Sequence, residues 1–268
     1  MGGATPYVRC LAGDAPDERA WSVGAARLAI EERVLSIAAV GEGPVVAFAG
    51  PGPSDAPLDA ALEGVGEASP ALVLVLGAIG DEEPIAKRTL AALATLDVPV
   101  LVLAGGRDDA TVWARAFESL EPEARDRVVD VTAIDRVVVG EREWLPIAGA
   151  PRGRYARTDT ACGFSDDDLD ARAEALGPAA EGRERTLLSW VGPAGFGLLG
   201  LTNADAGDPA LATFAERVGA PRGVFASPAV AAGGDRAVLA RPLVGPAIEL
   251  ADGTRLPPGF VTLPDGTR

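Results

Sequence analysis

The 268-residue chain contains no histidine. Its chemistry therefore excludes imidazole acid–base catalysis and imidazole metal ligation. Lys87 is the only lysine, so a serine nucleophile would have almost no basic partner to activate it. Cysteine is nearly absent as well. Cys10 and Cys162 stand far apart and form neither a zinc pattern nor a disulfide framework, which reads as separate, reduced thiols in a cytoplasmic protein. No apolar run reaches the roughly 18 residues of a membrane helix; the strongest, Ala71 to Ile79, is strand-sized. The start, Met1-Gly2-Gly3-Ala4-Thr5-Pro6, shows no basic segment followed by an apolar one, so no leader and no membrane insertion are expected. Basic charge is scarce, with 24 Lys and Arg against 39 Asp and Glu, a net charge of −15. That balance opposes nucleic-acid or anionic-membrane partners.

What is present points to a folded α/β chain. Hydrophobic residues make up 48% of the sequence, enough for a sizeable core. A short strand is expected at Tyr7–Leu11, a turn at Gly13–Pro16, and a helix from about Arg19 to Val40 on the spacing of Trp21, Ala25, Leu28, Val34, Leu35 and Ala38. From Val45 a regular rhythm begins. Three short apolar runs, Val45–Ala49, Ala71–Leu76 and Val98–Ala104, each end at glycine, and helical patterns follow them at Ala56–Gly66, at Pro84–Leu96, and from a cap at Asp108 or Asp109 to about Leu120. Such units imply a parallel sheet with helices on its faces. Further strands are expected at Val128–Val131, Arg136–Val139, Glu143–Ile147, Thr186–Trp190, Gly223–Ala226, Arg236–Arg241 and Gly259–Leu263. Pro146 marks an edge strand or a strand end. Gly149–Gly163 reads as a long polar loop. Helices are expected from Ser165 to Leu176 and from Pro209 to Val218.

In open α/β sheets, ligands sit outside the carboxyl ends of the strands, so the strand-end loops are the candidate site. Here they read Ala49-Gly50-Pro51-Gly52, Gly77-Ala78-Ile79-Gly80-Asp81, Gly105-Gly106-Arg107-Asp108, Ser189-Trp190-Val191-Gly192 and Ala226-Ser227-Pro228-Ala229. Their order and spacing over roughly residues 44–265 resemble the calcineurin-like metallophosphoesterases. That family carries D-x-H, G-D-x-x-D, G-N-H-D/E, a lone H and G-H-x-H in five such loops, and holds two metal ions with them. The resemblance implies an α/β fold, an α/β/β/α sandwich of two mixed sheets flanked by helices. It is expected to form a single domain over 1–268, with 1–43 either an N-terminal strand–helix addition or part of the core layer.

The ligand places do not match. Gly50 and Gly52 replace the first pair, Ala78 the bridging aspartate, and Gly106 the asparagine. Arg107 replaces the catalytic histidine and Trp190 the lone histidine, while Ser227 and Ala229 replace the last two. Asp108 and Asp81 are nearly all that persist. Two carboxylates without nitrogen ligands hold divalent ions weakly, so no catalytic residue, metal or cofactor is expected. The resemblance thus implies a catalytically inactive metallophosphoesterase-like protein, a scaffold or protein-interaction subunit with a protein partner or self-assembly. Two alternatives stand beside it: a phosphoesterase with a rebuilt carboxylate-only metal site, and a metal-free sensor contacting a phosphate or other anion through Arg107. For that anion contact, Arg152, Arg154 and Arg157 around Tyr155 are candidate helpers; otherwise Arg107 pairs with Asp81, Asp108 or Asp109. Asn203–Asp208 resembles a calcium-loop fragment but lacks the twelfth-position glutamate, and reads as a turn.

Overall fold

The computed structural model describes residues 8–10, 16–50, 58–152, 155, 160–179, 182–201, 204–226, 229–244, 247–249 and 255–263. The chain begins with β1 (Val8–Arg9), then β2 (Arg19–Val23), β3 (Ala26–Glu31) and β4 (Val34–Ala38). Next come β5 (Val45–Phe48), α1 (Leu58–Glu67), β6 (Leu72–Leu76), α2 (Glu83–Leu93), β7 (Val100–Leu103), α3 (Ala110–Glu118), α4 (Pro122–Arg127) and β8 (Val128–Asp130). β9 (Arg136–Val139), β10 (Arg142–Ile147), β11 (Ala150–Pro151), β12 (Cys162–Phe164), α5 (Asp166–Leu176), β13 (Glu184–Ser189) and β14 (Leu198–Leu199) follow. The last elements are α6 (Pro209–Val218), β15 (Arg222–Phe225), β16 (Ala231–Ala232), β17 (Ala237–Leu239), β18 (Ile248–Glu249), β19 (Arg255–Leu256) and β20 (Val261–Thr262).

Among the described residues two mixed sheets carry the fold, with six helices, an arrangement compatible with an α/β sandwich. The first runs β20-β5-β6-β7-β8, with β5 to β8 parallel. β5, β6 and β7 are buried along their whole lengths, as continuous apolar strands covered on both faces must be. The second runs β17-β15-β13-β10-β9-β4-β3-β2. The helix caps follow the sequence signals. Ser165 and Asp168 form a capping box on α5. α6 has Asp208 as cap, Pro209 in its first turn and Gly219 in the left-handed conformation after it.

The expected helix over Arg19–Val40 is instead the meander β2–β3–β4. Its burial alternates, with Ala26, Leu28 and Ile30 inward on β3 and Leu35 and Ile37 inward on β4. Two-residue turns separate the strands, reversing at Gly24 (φ +54°) and Glu32 (φ +53°). β4 then pairs in parallel with β9, so of the two readings of this stretch the strands follow the one that puts it in the core layer, as part of the second sheet. Pro146 lies in an interior strand, yet β9 pairs only with Arg142–Trp144 and leaves Pro146 paired to Leu188 alone. Its missing N–H therefore costs no ladder bond. The expected polar loop at Gly149–Gly163 contains β11 and β12, which form a three-stranded sheet with β1.

A buried ion pair joins the second sheet to its helices. The Arg185 guanidinium on β13 meets Glu143 on β10 at 2.7 Å, both nearly inaccessible. It also donates to the carbonyls of Leu176, Gly177, Pro178 and Val218, where α5 and α6 end. One cation so satisfies the orphan carbonyls of two helices.

The two cysteines are bonded to each other. Cys10 and Cys162, 152 residues apart, form a disulfide and leave no free thiol. This overturns the reading of two reduced thiols, because sequence distance conceals the contact between β1 and β12. Closing so long a loop predicts that Cys10→Ser/Cys162→Ser loses about 2–4 kcal/mol of stability in urea. Alkylation of the wild type before reduction should label no thiol.

Candidate functional site

The carboxyl ends of β5, β6, β7 and β13 meet, and among the described residues Gly50, Gly77, Gly105 and Trp190 pack against one another. After β5, the Gly50 N–H donates to the Gly77 carbonyl at 2.8 Å. A Cβ at Gly50 would lie 2.4 Å from that oxygen and 2.5 Å from the Ala78 carbonyl, so no ligand side chain fits there. Gly52 and Ser227 lie outside the described residues. Ala78 is buried at φ +56°, immediately after Gly77 at φ +64°. This turn aims successive N–H groups at one point.

Asp108 occupies that point. Its carboxylate accepts the N–H groups of Gly105 at 2.7 Å, Ala78 at 2.9 Å, Ile79 at 3.0 Å, and Gly80. The side chain is buried, and burial pushes the carboxyl up to about 7, with the four N–H groups opposing. The acid is one of the two that persist in the motif loops, and its lone pairs hold two loops together. Nothing in the sequence beyond its position after Gly105-Gly106 signals this role.

Trp190, directly after β13, packs onto these loops. It is only 4% exposed. A Cβ at Gly77 would come within 2.5 Å of its Cε3, and one at Gly105 within 2.6 Å of its Cδ2 and Cε3. The indole therefore lies on the bare backbones of the β6 and β7 loops, a contact that only glycine permits. Gly106 is buried, with the Ala150 Cβ and the Tyr155 carbonyl directly above it. Ala229 is buried after β15.

Arg107 is exposed and has neither ion pair nor hydrogen bond among the described residues. The expected pairing with Asp108 or Asp109 does not form. Asp108 is occupied by backbone, and Asp109 caps α3 through Thr111 and Val112 while accepting from Thr160. Arg152 is exposed and lies beside Pro151, Phe164 and Ser165; Arg154 and Arg157 lie outside the described residues. Ser189 is fully buried, its hydroxyl without a hydrogen-bond partner among the described residues, and Lys87 on α2 is paired with Glu83. Asp205 accepts from Gly195 and Gly207, closing a turn, and Asp208 caps α6. Among the described residues no three acids, histidines or cysteines converge as a metal cluster. None of their helices is long and apolar enough to cross a membrane.

No family model matches this chain, and no curated protein matches it. Similar solved structures include a crystal structure with 14% sequence identity and a TM-score of 0.52, covering 68% of this chain and 82% of the other. Another is TT1561 of Thermus thermophilus, 12% identical with a TM-score of 0.49, covering 68% of this chain and 80% of that one. At such identities the first likeness speaks to fold alone.

Two outcomes follow from the packing. Trp190→Ala removes a buried indole and should cost about 3–5 kcal/mol in urea unfolding. Asp108 titrates higher in the folded chain than its ordinary 3.8, so the protonated form favours folding. That stability is complete below the unfolded value and is lost as pH rises through about 7. Between about pH 5 and pH 8 the melting temperature of the wild type should therefore fall relative to Asp108→Asn; a constant difference contradicts the assignment.

Proposed function

We propose that this chain is a catalytically inactive relative of the metallophosphoesterases, a pseudoenzyme that works as a scaffold or interaction subunit. The observation that carries the reading is Trp190 lying on Gly77 and Gly105, where a working site would need open space and ligands. Gly50 admits no side chain, and Asp108 spends its oxygens on backbone. A dinuclear centre activates water and clamps phosphoryl oxygens through many first-shell ligands. A rebuilt carboxylate-only site would need several converging acids, and the described residues bring no three together.

Arg107 favours a second reading, a metal-free anion sensor, since its guanidinium is exposed and unpaired among the described residues. The proposed compartment follows the disulfide. Cys10–Cys162 is the kind of bond that persists outside a reducing cytosol, which works against the cytoplasmic location expected from the sequence.

One preparation tests the proposal. The purified protein should carry no stoichiometric manganese, iron or zinc by elemental analysis, and should not turn over generic phosphoesters. Stoichiometric metal with chelator-sensitive turnover overturns it. Saturable phosphate binding lost in Arg107→Ala would select the sensor instead.

A further inference from the structure

The disulfide joins two segments that are held to the fold very differently. Cys162 opens β12, which is rooted in the body of the protein. Its N–H donates to the Asp108 carbonyl at 3.2 Å, and the Ala110 N–H reaches the Thr160 carbonyl just before it at 3.0 Å. The Thr160 hydroxyl donates to Asp109. β11 pairs with β12 through Ala150 and Pro151, and the Arg152 N–H donates to the Phe164 carbonyl at 2.8 Å. The bare backbone of Gly149 lies against Cys162, where a Cβ would come within 2.6 Å of the Cys162 carbonyl.

Cys10 follows β1, whose attachment is slight. β1 is the edge of the three-stranded sheet, and among the described residues its ladder with β12 consists of Val8 and Arg9. A ladder that short falls below the roughly three to ten residues of an ordinary strand, so the covalent bond carries what the ladder cannot. Breaking it therefore frees one end and leaves the other in place. Cys10 is also the more exposed partner, 8% against 1% for Cys162, and thiol–disulfide exchange starts at the sulfur that a thiolate can reach.

We propose that Cys10–Cys162 is a redox latch, which a dithiol reductant opens to release β1 from β12 while the sheets and helices stay folded. One thiolate of the dithiol attacks the Cys10 sulfur; the S–S bond breaks and Cys162 leaves as a thiolate, which takes up a proton. The second thiol of the reductant then attacks the mixed disulfide, Cys10 departs as a thiol, and the reductant is left as a disulfide. β12 keeps β11 and its bonds to the Asp108–Ala110 segment. Its other edge, freed of β1, becomes a row of unpaired backbone groups. The latch does not depend on the non-catalytic reading.

The test compares the full chain before and after incubation with dithiothreitol in native buffer, by thiol titration and by hydrogen–deuterium exchange read by mass spectrometry. Both thiols should appear without urea. Exchange in peptides spanning β1 should rise about tenfold or more, while β5, β6 and β7 change by less than about twofold. Oxidised glutathione should restore both readings. Cys10→Ser/Cys162→Ser, folded by circular dichroism, should exchange like the reduced chain and ignore dithiothreitol. A bond that dithiothreitol reduces only in urea, or reduction that leaves exchange in β1 unchanged, overturns the latch and makes the bond a fixed staple. So does reduction that raises exchange across β5, β6 and β7, which means that the bond holds the whole fold.

Discussion

The carboxylate of Asp108 gathers backbone N–H groups from the loops after β6 and β7, and the closed state of the strand ends depends on that convergence. Four donors on one buried acid leave it no capacity for a cation. They also fix Gly77 and Gly105 as a flat, side-chain-free floor. Trp190 then covers that floor with its indole. An open α/β sheet normally exposes this end for ligands. Here backbone and one aromatic ring fill it.

Neighbouring elements reinforce the closure. Gly105 bridges to Gly149 beyond β10, and Cys162 donates its N–H to the Asp108 carbonyl. The disulfide from Cys162 to Cys10 ties β1 to the same region. On the second sheet, Arg185 and Glu143 anchor the ends of α5 and α6 to β13 and β10. Both arrangements place one buried charged group where several backbone groups would otherwise lack partners. Removing either acid or arginine would leave polar groups unsatisfied in the interior.

Much of this frame is legible from residue order. Continuous apolar runs such as Leu72–Leu76 announce buried strands, and Asp208-Pro209 with Gly219 delimits α6 at both ends. The Arg19–Val40 meander is not legible in the same way. Its alanine-rich pattern satisfies a helical period as well as an alternating one, and the decision falls to reversals at Gly24 and Glu32 and to pairing with β9. The Cys10–Cys162 bond has no local signal, since 152 residues intervene. The glycines at 50, 77 and 105 mark unusual backbone, but only the fold reveals that Trp190 and a carbonyl pair occupy the space above them. Position 108 likewise looks like a surviving ligand until its four donors are counted.

The Asp108 carboxylate and the Trp190 indole lie at the carboxyl ends of β6 and β7. The most direct measurement is a crystal structure of the chain grown in millimolar manganese, with data collected at the metal's absorption edge. The account predicts Trp190 on Gly77 and Gly105, with no anomalous peak between these loops. An anomalous peak there, with the indole displaced and Asp108 turned toward it, would contradict the account.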